Sequence, residues 1–340
     1  MSENIIIKDY KLFKSIGKGA FGKVYLTIKE GSPELFATKM IEYSKIKDPK
    51  ILNYLKNEIQ IMKELNHPNI IKLHEVLYTK RNIYLIMEYC NGGSLLDLLN
   101  QHTKQYRKPF SIKIIQYFMR QIIEGLAYIH SNKIIHRDIK LANILLKFRN
   151  NRNKNKIEYI DIADLDESDF LSSEIKIIDF GLSKKLDLDE LAKTIAGTPF
   201  NMPPTILDIY NKGQQSKGYN EKADIWSLGT ICYQMLTGEQ LFKVKNLIEL
   251  IKKVHEKNYS IRTDIELSNE VISFLNSMLQ YNGELRLSAE ELLKHEFLTK
   301  DPKDFIKVNV KDSFNQNKVI MEKYIECLYK DYKEAKEYFG

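Results

Sequence analysis

The sequence predicts an α+β protein in two lobes: a small lobe of five strands and one helix, then a larger, mainly helical lobe. Three observations carry this expectation. Apolar residues recur at period two, in short runs, as far as Met87. From Leu95 onward they recur at helical spacing. A glycine-bearing connection, Glu88–Ser94, separates the two patterns. The 340 residues suffice for two sizeable cores. Hydrophobic content of 43% and charged content of 29% are ordinary for a soluble globular chain. The formal charge of +7 reflects a Lys-rich surface and gives little reason to expect nucleic acid as a partner. The three cysteines, Cys90, Cys232 and Cys327, lack metal-ligand spacing, which suits a reducing, cytoplasmic setting. Neither a signal peptide nor a transmembrane span is readable.

Taken in order, residues 1–9 read as an extension. Leu12 and Ile16, then Val24, Leu26 and Ile28, form two strands around Gly17-Lys18-Gly19-Ala20-Phe21-Gly22. A lone Gly-x-Gly-x-x-Gly is weak evidence, because dinucleotide-binding folds carry it too. Those folds need a helix immediately after the glycines, and here a strand follows. Phe36–Met40 is the next strand, with Lys39 inside it. Asp48-Pro49 looks like a helix start. Ile51, Leu52, Leu55, Ile59, Met62 and Leu65 give that helix one apolar face. His67–Ile71 and Ile83–Met87 read as further strands. A helix begins at Leu95, and a longer, heavily apolar one runs from Ile112 to His130. The next stretch organises the chain. Two apolar runs, Ile134-Ile135 and Ile144-Leu145-Leu146, look like short buried strands flanking His136, Arg137, Asp138, Lys140 and Asn143. A polar group in an apolar frame is costly unless its members serve one another or a ligand. Residues 147–174 are Asn-rich and charged, and read as a solvated surface loop. Ile175–Ile178 is a strand ending in Asp179-Phe180-Gly181. Helices continue to Leu298, and 319–339 reads as an amphipathic helix.

The polar stretch, His-Arg-Asp-x-Lys-x-x-Asn, resembles the catalytic loop of the eukaryotic protein kinases. Other motifs of that family appear in the expected order between Tyr10 and Leu298. The resemblance implies a two-lobed kinase domain over 10–298, with an N-lobe at 10–87, a hinge at 88–94, a C-lobe at 95–298 and an insertion at 147–174. Residues 299–340 are an extension whose helix packs on the domain, the plainer reading, or on a regulatory partner. The implied cofactors are ATP and Mg²⁺. By resemblance, Gly17, Gly19 and Gly22 cover the phosphates. Lys39, in the position of the Lys of Val-Ala-Ile-Lys, orients them and is held by Glu58, nineteen residues on. Ile16, Lys18, Val24, Ala37, Met87, Glu88, Cys90 and Leu145 line the nucleotide site, with Met87 as gatekeeper and the backbones of Glu88 and Cys90 facing adenine. Asn143 and Asp179 hold the metal, Asp138 takes the substrate proton, and Lys140 neutralises the moving phosphoryl group. Thr194 is a candidate activating phosphosite with Arg137 as its basic partner, although an unmodified loop threonine is an equal reading. Thr198 resembles the substrate-holding threonine, and with Lys140 implies Ser/Thr substrates.

Three departures stand out. Asn143 and Asp179 are separated by an insertion where the family has a tight hairpin. Pro203-Pro204-Thr205 replaces Ala-Pro-Glu, which would leave Arg286 without its usual carboxylate unless Glu284 compensates. A buried charge that loses its partner costs ~3–5 kcal/mol. Ser94 and Ala142 stand where basophilic kinases often carry acids. The wording around Met87–Ser94 and Lys222–Thr230 is similar to ULK-type, autophagy-initiating kinases, and calcium/calmodulin-dependent and NIMA-related kinases share much of it. No EF-hand loop is present. The expected function is ATP-dependent phosphorylation of protein Ser/Thr in signalling. The alternatives are an ATP-binding scaffold with little or no transfer, and a small-molecule kinase of the same fold.

Overall fold

The computed structural model describes residues 5–18, 22–46, 48–149, 165–180, 201–204, 207, 220–255 and 267–304. Gly19, Thr194, Thr198, Thr205 and the helix expected over 319–339 lie outside these residues.

The N-terminal half is an antiparallel sheet of six strands in the order β1-β2-β3-β4-β6-β5. They are β1 Ile5–Ile7, β2 Tyr10–Lys18, β3 Gly22–Lys29, β4 Leu35–Glu42, β5 Leu73–Tyr78 and β6 Asn82–Glu88. Five strands were expected. The sixth is β1, inside the presumed extension, where Ile5–Ile7 pair with Tyr10–Leu12. Three consecutive isoleucines carry no alternation, so their strand character was invisible to a period-two reading. The strand expected from His67 also shifts. Residues 67–69 turn, Ile70 makes an isolated parallel bridge to Ile177, and the ladder starts only at Leu73.

Helix α1, Pro49–Glu64, packs Leu55 and Ile59 against Ile41, Ile83 and Leu85 on one face of the sheet. The opposite face closes a second small core of Tyr10, Leu12, Phe36, Met40, Tyr84 and Ile86. Between β3 and β4 the chains approach so closely that a Cβ on Gly22 would stand 1.7 Å from the Met40 carbonyl oxygen. Gly22 is therefore demanded by strand packing, independently of any ligand.

The helical lobe is built around α3, Ile112–Ser131, which buries Ile115, Phe118, Met119, Ile122, Ile123, Leu126 and Ile129 completely. Ser94 and Ser111 cap α2 (Leu95–Tyr106) and α3 through their hydroxyls. A two-stranded ribbon, β7 Ile144–Lys147 with β8 Glu174–Ile177, lies beside α3. Ile134-Ile135 is not a strand. Only Ile134 is deeply buried, on the extended approach to the catalytic loop. The insertion is not wholly a surface loop either. Its end forms α4, Glu167–Leu171, started by a capping box between Asp166 and Asp169. Phe170 enters a ring cluster with Phe110 (5.8 Å), Phe148 (6.1 Å), Phe118 and His102 (both 6.4 Å). A single aromatic in a charged stretch gives no period, so the sequence hid it.

Helix α5, Lys222–Thr237, is buried along almost its whole length and delivers Asp224 to the catalytic loop. The Asp224 carboxylate accepts from the His136 and Arg137 backbone N–H groups, each at 2.8 Å, and meets His130 Nε2 at 2.9 Å. Burial opposes its charge, but the His130 hydrogen bond, nearby histidines and backbone donors prevail and hold its pKa below the ordinary value. Helices α6 Leu247–His255, α7 Asn269–Met278, α8 Ala289–Leu292 and α9 Glu296–Thr299 complete the described lobe. Arg286, 2% exposed, does not lack polar partners. Its guanidinium donates to the carbonyls of Gln280 (2.8 Å), Lys222 (2.8 Å) and Tyr281 (3.2 Å), and lies 5.1 Å from the Trp226 ring centroid. Carbonyl dipoles and an aromatic face stabilise the cation.

Two outcomes are expected. Phe170→Ala should cost ~3–5 kcal/mol in denaturant unfolding, the usual range for emptying a buried aromatic site. A loss under ~1 kcal/mol would mean that α4 merely lies on the surface. Asp224→Asn should destabilise by ~3 kcal/mol at neutral pH, because the buried donors lose their charged acceptor. With a depressed folded pKa, the contribution of Asp224 is complete above ~4 and is lost as pH falls through the folded value. The stability gap between wild type and Asp224→Asn should therefore narrow on acidification, and a gap independent of pH would contradict the assignment.

Candidate active site

The strand register assembles one wall of a cleft between the lobes. Val24 pairs with Lys39, Lys39 with Leu85, and Ala37 with Met87. Ala37 and Lys39 therefore share a face of β4 with Val24 and Met87 beside them. Ile16, Val24, Ala37, Met87 and Leu145 are only half-buried, whereas Leu26, Leu85 and Leu146 are closed off. Half-open apolar side chains on facing elements suit a flat apolar ligand edge. The hinge runs over β7: Gly92 N–H donates to the Leu146 carbonyl, Leu146 N–H to the Gly93 carbonyl, and Ser94 bridges to Leu145. A Cβ on Gly92 would stand 2.6 Å from the Phe148 ring, so the crossing requires glycine. Glu88 N–H donates to the Lys72 carbonyl, which leaves Glu88 its carbonyl to offer a base. Cys90 is buried, and burial pushes its thiol up to about 12, so it is no nucleophile at neutral pH.

At the other end, Lys39 Nζ lies 3.1 Å from Glu58 Oε1. Helical periodicity points Glu58 at the sheet together with Leu55 and Ile59. Burial would lower the Lys39 pKa, but the carboxylates of Glu58 and Asp179 outweigh it and hold the ammonium above its ordinary value. Glu64, the other acid near the end of α1, bonds to Gln60.

The catalytic loop forms a compact polar knot. Asn143 Nδ2 donates to Asp138 Oδ2 at 2.7 Å and to the Asp138 carbonyl at 2.9 Å. Lys140 Nζ donates to the same Oδ2 at 2.7 Å. Both side-chain bonds land on Oδ2, so Oδ1 is the oxygen that can take a proton from an incoming hydroxyl. With its amide nitrogen committed, Asn143 has Oδ1 to present to a cation. Asp179 is exposed, its backbone left-handed at φ 68°, and the Ile178 N–H before it donates to the Asn143 carbonyl at 3.0 Å. One amide oxygen and one carboxylate are hard donors that fit Mg²⁺, provided phosphate oxygens and water complete the shell. Among the described residues no group of three or more His, Cys, Asp and Glu is placed to hold a metal by itself. His136 is fully buried, donates from Nε2 to the Ile178 carbonyl (3.0 Å), and packs edge-on against Phe180 at 5.2 Å.

Two contributors escaped sequence reasoning. One is Asn69, whose carbonyl accepts from Ile177 N–H at 2.8 Å while its amide reaches Gln121 at 3.0 Å. The other is the Glu88 side chain, which meets Lys176 and Lys147. The motif reading assigned Glu88 through its backbone alone, and only long-range packing brings the partners of these side chains near.

The model of the protein kinase domain matches residues 10–298. Similar curated proteins include a serine/threonine-protein kinase atg1 of Dictyostelium discoideum, 33% identical over 306 residues, which are 88% of this chain and 41% of that protein. Calcium-dependent protein kinase 5 of Plasmodium berghei (strain Anka) is 33% identical over 339 residues, 99% of this chain and 53% of that protein. A probable serine/threonine-protein kinase PLK of D. discoideum is 30% identical over 296 residues, covering 87% and 27%. The chain thus spans about half or less of the length of these relatives. With the family model covering most of the chain and the cleft built from that family's motifs, the chain belongs to the protein kinase domain family.

Proposed function

We propose that this chain transfers the γ-phosphate of Mg-ATP to serine or threonine hydroxyls of protein substrates. The observation that carries the reading is the knot in which Asn143 and Lys140 both bond Asp138 Oδ2, linked through the Asp179 segment to the Lys39–Glu58 pair. Phosphoryl transfer asks little covalent chemistry of a protein and depends on positioning and charge. Asp138 Oδ1 orients the hydroxyl and receives its proton as the hydroxyl oxygen bonds to the γ-phosphorus. The bond from that phosphorus to the bridging oxygen breaks, and its electrons leave with ADP. Lys140, fixed beside Asp138, offsets the charge of the moving group. Lys39, held by Glu58, orients the remaining phosphates. Mg²⁺, for which Asn143 and Asp179 are the fitting donors, supplies charge neutralisation on the phosphates. The Lys39–Glu58 pair, the hydrogen bonds that fix Asp138 and the carbonyl partners of Arg286 support transfer over the scaffold alternative. Relatives named atg1 and calcium-dependent protein kinase 5 match at the same 33% identity, which supports Ser/Thr substrates without selecting a subfamily. Thr194 remains the proposed activating phosphosite, Thr198 the substrate-holding threonine, and the cytoplasm the proposed location. No described helix is long and apolar enough to cross a membrane.

The test is transfer of labelled γ-phosphate to a generic protein substrate, beside Asp138→Asn. Wild-type transfer should fall by ~10²-fold or more in the variant, the scale of lost general-base assistance. No transfer by wild type, with ATP still raising its melting temperature, would establish the scaffold instead. On peptide arrays the enzyme should show no strong demand for Arg upstream of the phosphosite, because Ser94 is engaged in capping α2 and offers no carboxylate. A dominant Arg preference there would refute this.

A further inference from the structure

Behind the hinge lies a buried ionic cluster that the phosphotransfer chemistry does not use. Glu88, the last residue of β6, is 8% exposed, and Lys176 in β8 is 6% exposed. Glu88 Oε2 is shared by Lys176 Nζ and Lys147 Nζ, both at 3.2 Å, while Oε1 accepts from Lys72 N–H at 2.8 Å. Lys176 also reaches Glu174 at 3.3 Å, and Glu174 pairs with Arg149 at 3.0 Å. A buried ion pair is weak evidence for stability, since an apolar pair of similar size often does as well. Its geometry is more telling.

We infer that Lys176, through Glu88, is a positioning residue for the purine end of the nucleotide, an inference that rests on the kinase reading above. Glu88 is fixed at its N–H, at Oε1 and at Oε2, so its carbonyl, at the end of β6, is held in place at the hinge. The partner that fixes it belongs to β8, three residues before Asp179. That strand is itself held by Ile177 N–H to Asn69, by Ile71 N–H to the Ile177 carbonyl, and by Ile178 N–H to Asn143. Lys176 therefore joins the base-binding edge and the phosphate-binding edge of the cleft in one frame. Lys147, more exposed, is a secondary partner. His67 faces the cluster and is kept below its ordinary pKa by burial and then by the Lys176 charge, so it adds no competing cation at neutral pH.

The experiment is a titration of the full chain with a fluorescent ADP analogue, together with KM for ATP and kcat, for wild type, Lys176→Met and Lys176→Arg. Lys176→Met should weaken ADP-analogue binding and raise KM for ATP about five-fold, the scale of one net hydrogen bond, with kcat within about two-fold. Lys176→Arg, which keeps the charge, should restore binding. Unchanged binding in a folded Lys176→Met protein would overturn the inference, as would a fall in kcat at constant KM, the mark of a merely structural role. Should Lys176→Met fail to fold, Glu88→Gln keeps the shape and the Lys72 acceptor, and the same five-fold weakening is required of it. A wild type that binds the analogue and loses it on substitution, yet transfers no phosphate, would sink the kinase reading and leave the hinge inference standing.

Discussion

The buried carboxylate of Asp224 is the interaction on which the site depends. It sits inside α5, the most deeply enclosed helix described, and spends its two oxygens on the backbone of His136 and Arg137 and on the His130 ring. Arg137 holds φ at 70°, in the left-handed region that non-glycine residues seldom adopt. Such a conformation costs of order 1–3 kcal/mol and persists only when its surroundings over-determine it. Two charge-assisted bonds to consecutive N–H groups do so here. With residues 136 and 137 fixed, Asp138 has little freedom left. Lys140 and Asn143 can then close on one of its oxygens instead of competing for several arrangements.

The same logic extends across the two lobes through β8. Its main chain is bonded to the turn after α1 by Asn69 and Ile71, and to the catalytic loop by Asn143. Its side chains reach the hinge through Lys176. Gln121 of α3 fills the remaining gap, accepting from Ile175 N–H and Asn69 while donating to Ser173. A short strand with every backbone group engaged has few ways to move. Asp179, two residues beyond its end, inherits that rigidity at its N-terminal side. Its own left-handed backbone, φ 68°, is the second sparsely populated conformation in the site. Both lie next to carboxylates that the reaction requires, where strain tolerated by the frame can serve to aim a side chain.

What could be read in the sequence was what is local. Lys39, Glu58, Asp138, Asn143 and Asp179 stand in short motifs or at fixed helical and strand spacing, and the structure brings them to one cleft. β1 was missed because Ile5–Ile7 has no alternation, and its strand exists only through pairing with Tyr10–Leu12. α4 was missed because its burial comes from one side chain, Phe170, entering a ring cluster whose other members lie between His102 and Phe148. Arg286 shows the limit of motif comparison in another way. A motif comparison registered a lost carboxylate, whereas the guanidinium responds to total hydrogen bonding and field. Among the described contacts, three carbonyls and the Trp226 face contribute to both.

Counting charge in the cleft gives a further constraint on its ligand. Two cations, Lys39 and Lys140, face three carboxylates, Glu58, Asp138 and Asp179. Each lysine is already bonded to one of these acids, at 3.1 and 2.7 Å. Among these five side chains acid exceeds base by one, and that excess repels a bare polyphosphate. Glu58 and Asp138 each bond a lysine, and the exposed Asp179 acts on Lys39 electrostatically. A divalent cation arriving with the phosphates would be drawn to these carboxylates, Asp179 among them, and would offset their charge. The acidic excess that disfavours bare polyphosphate thus favours a metal-bound nucleotide, and it does so through residues whose positions Asp224 and β8 have already fixed.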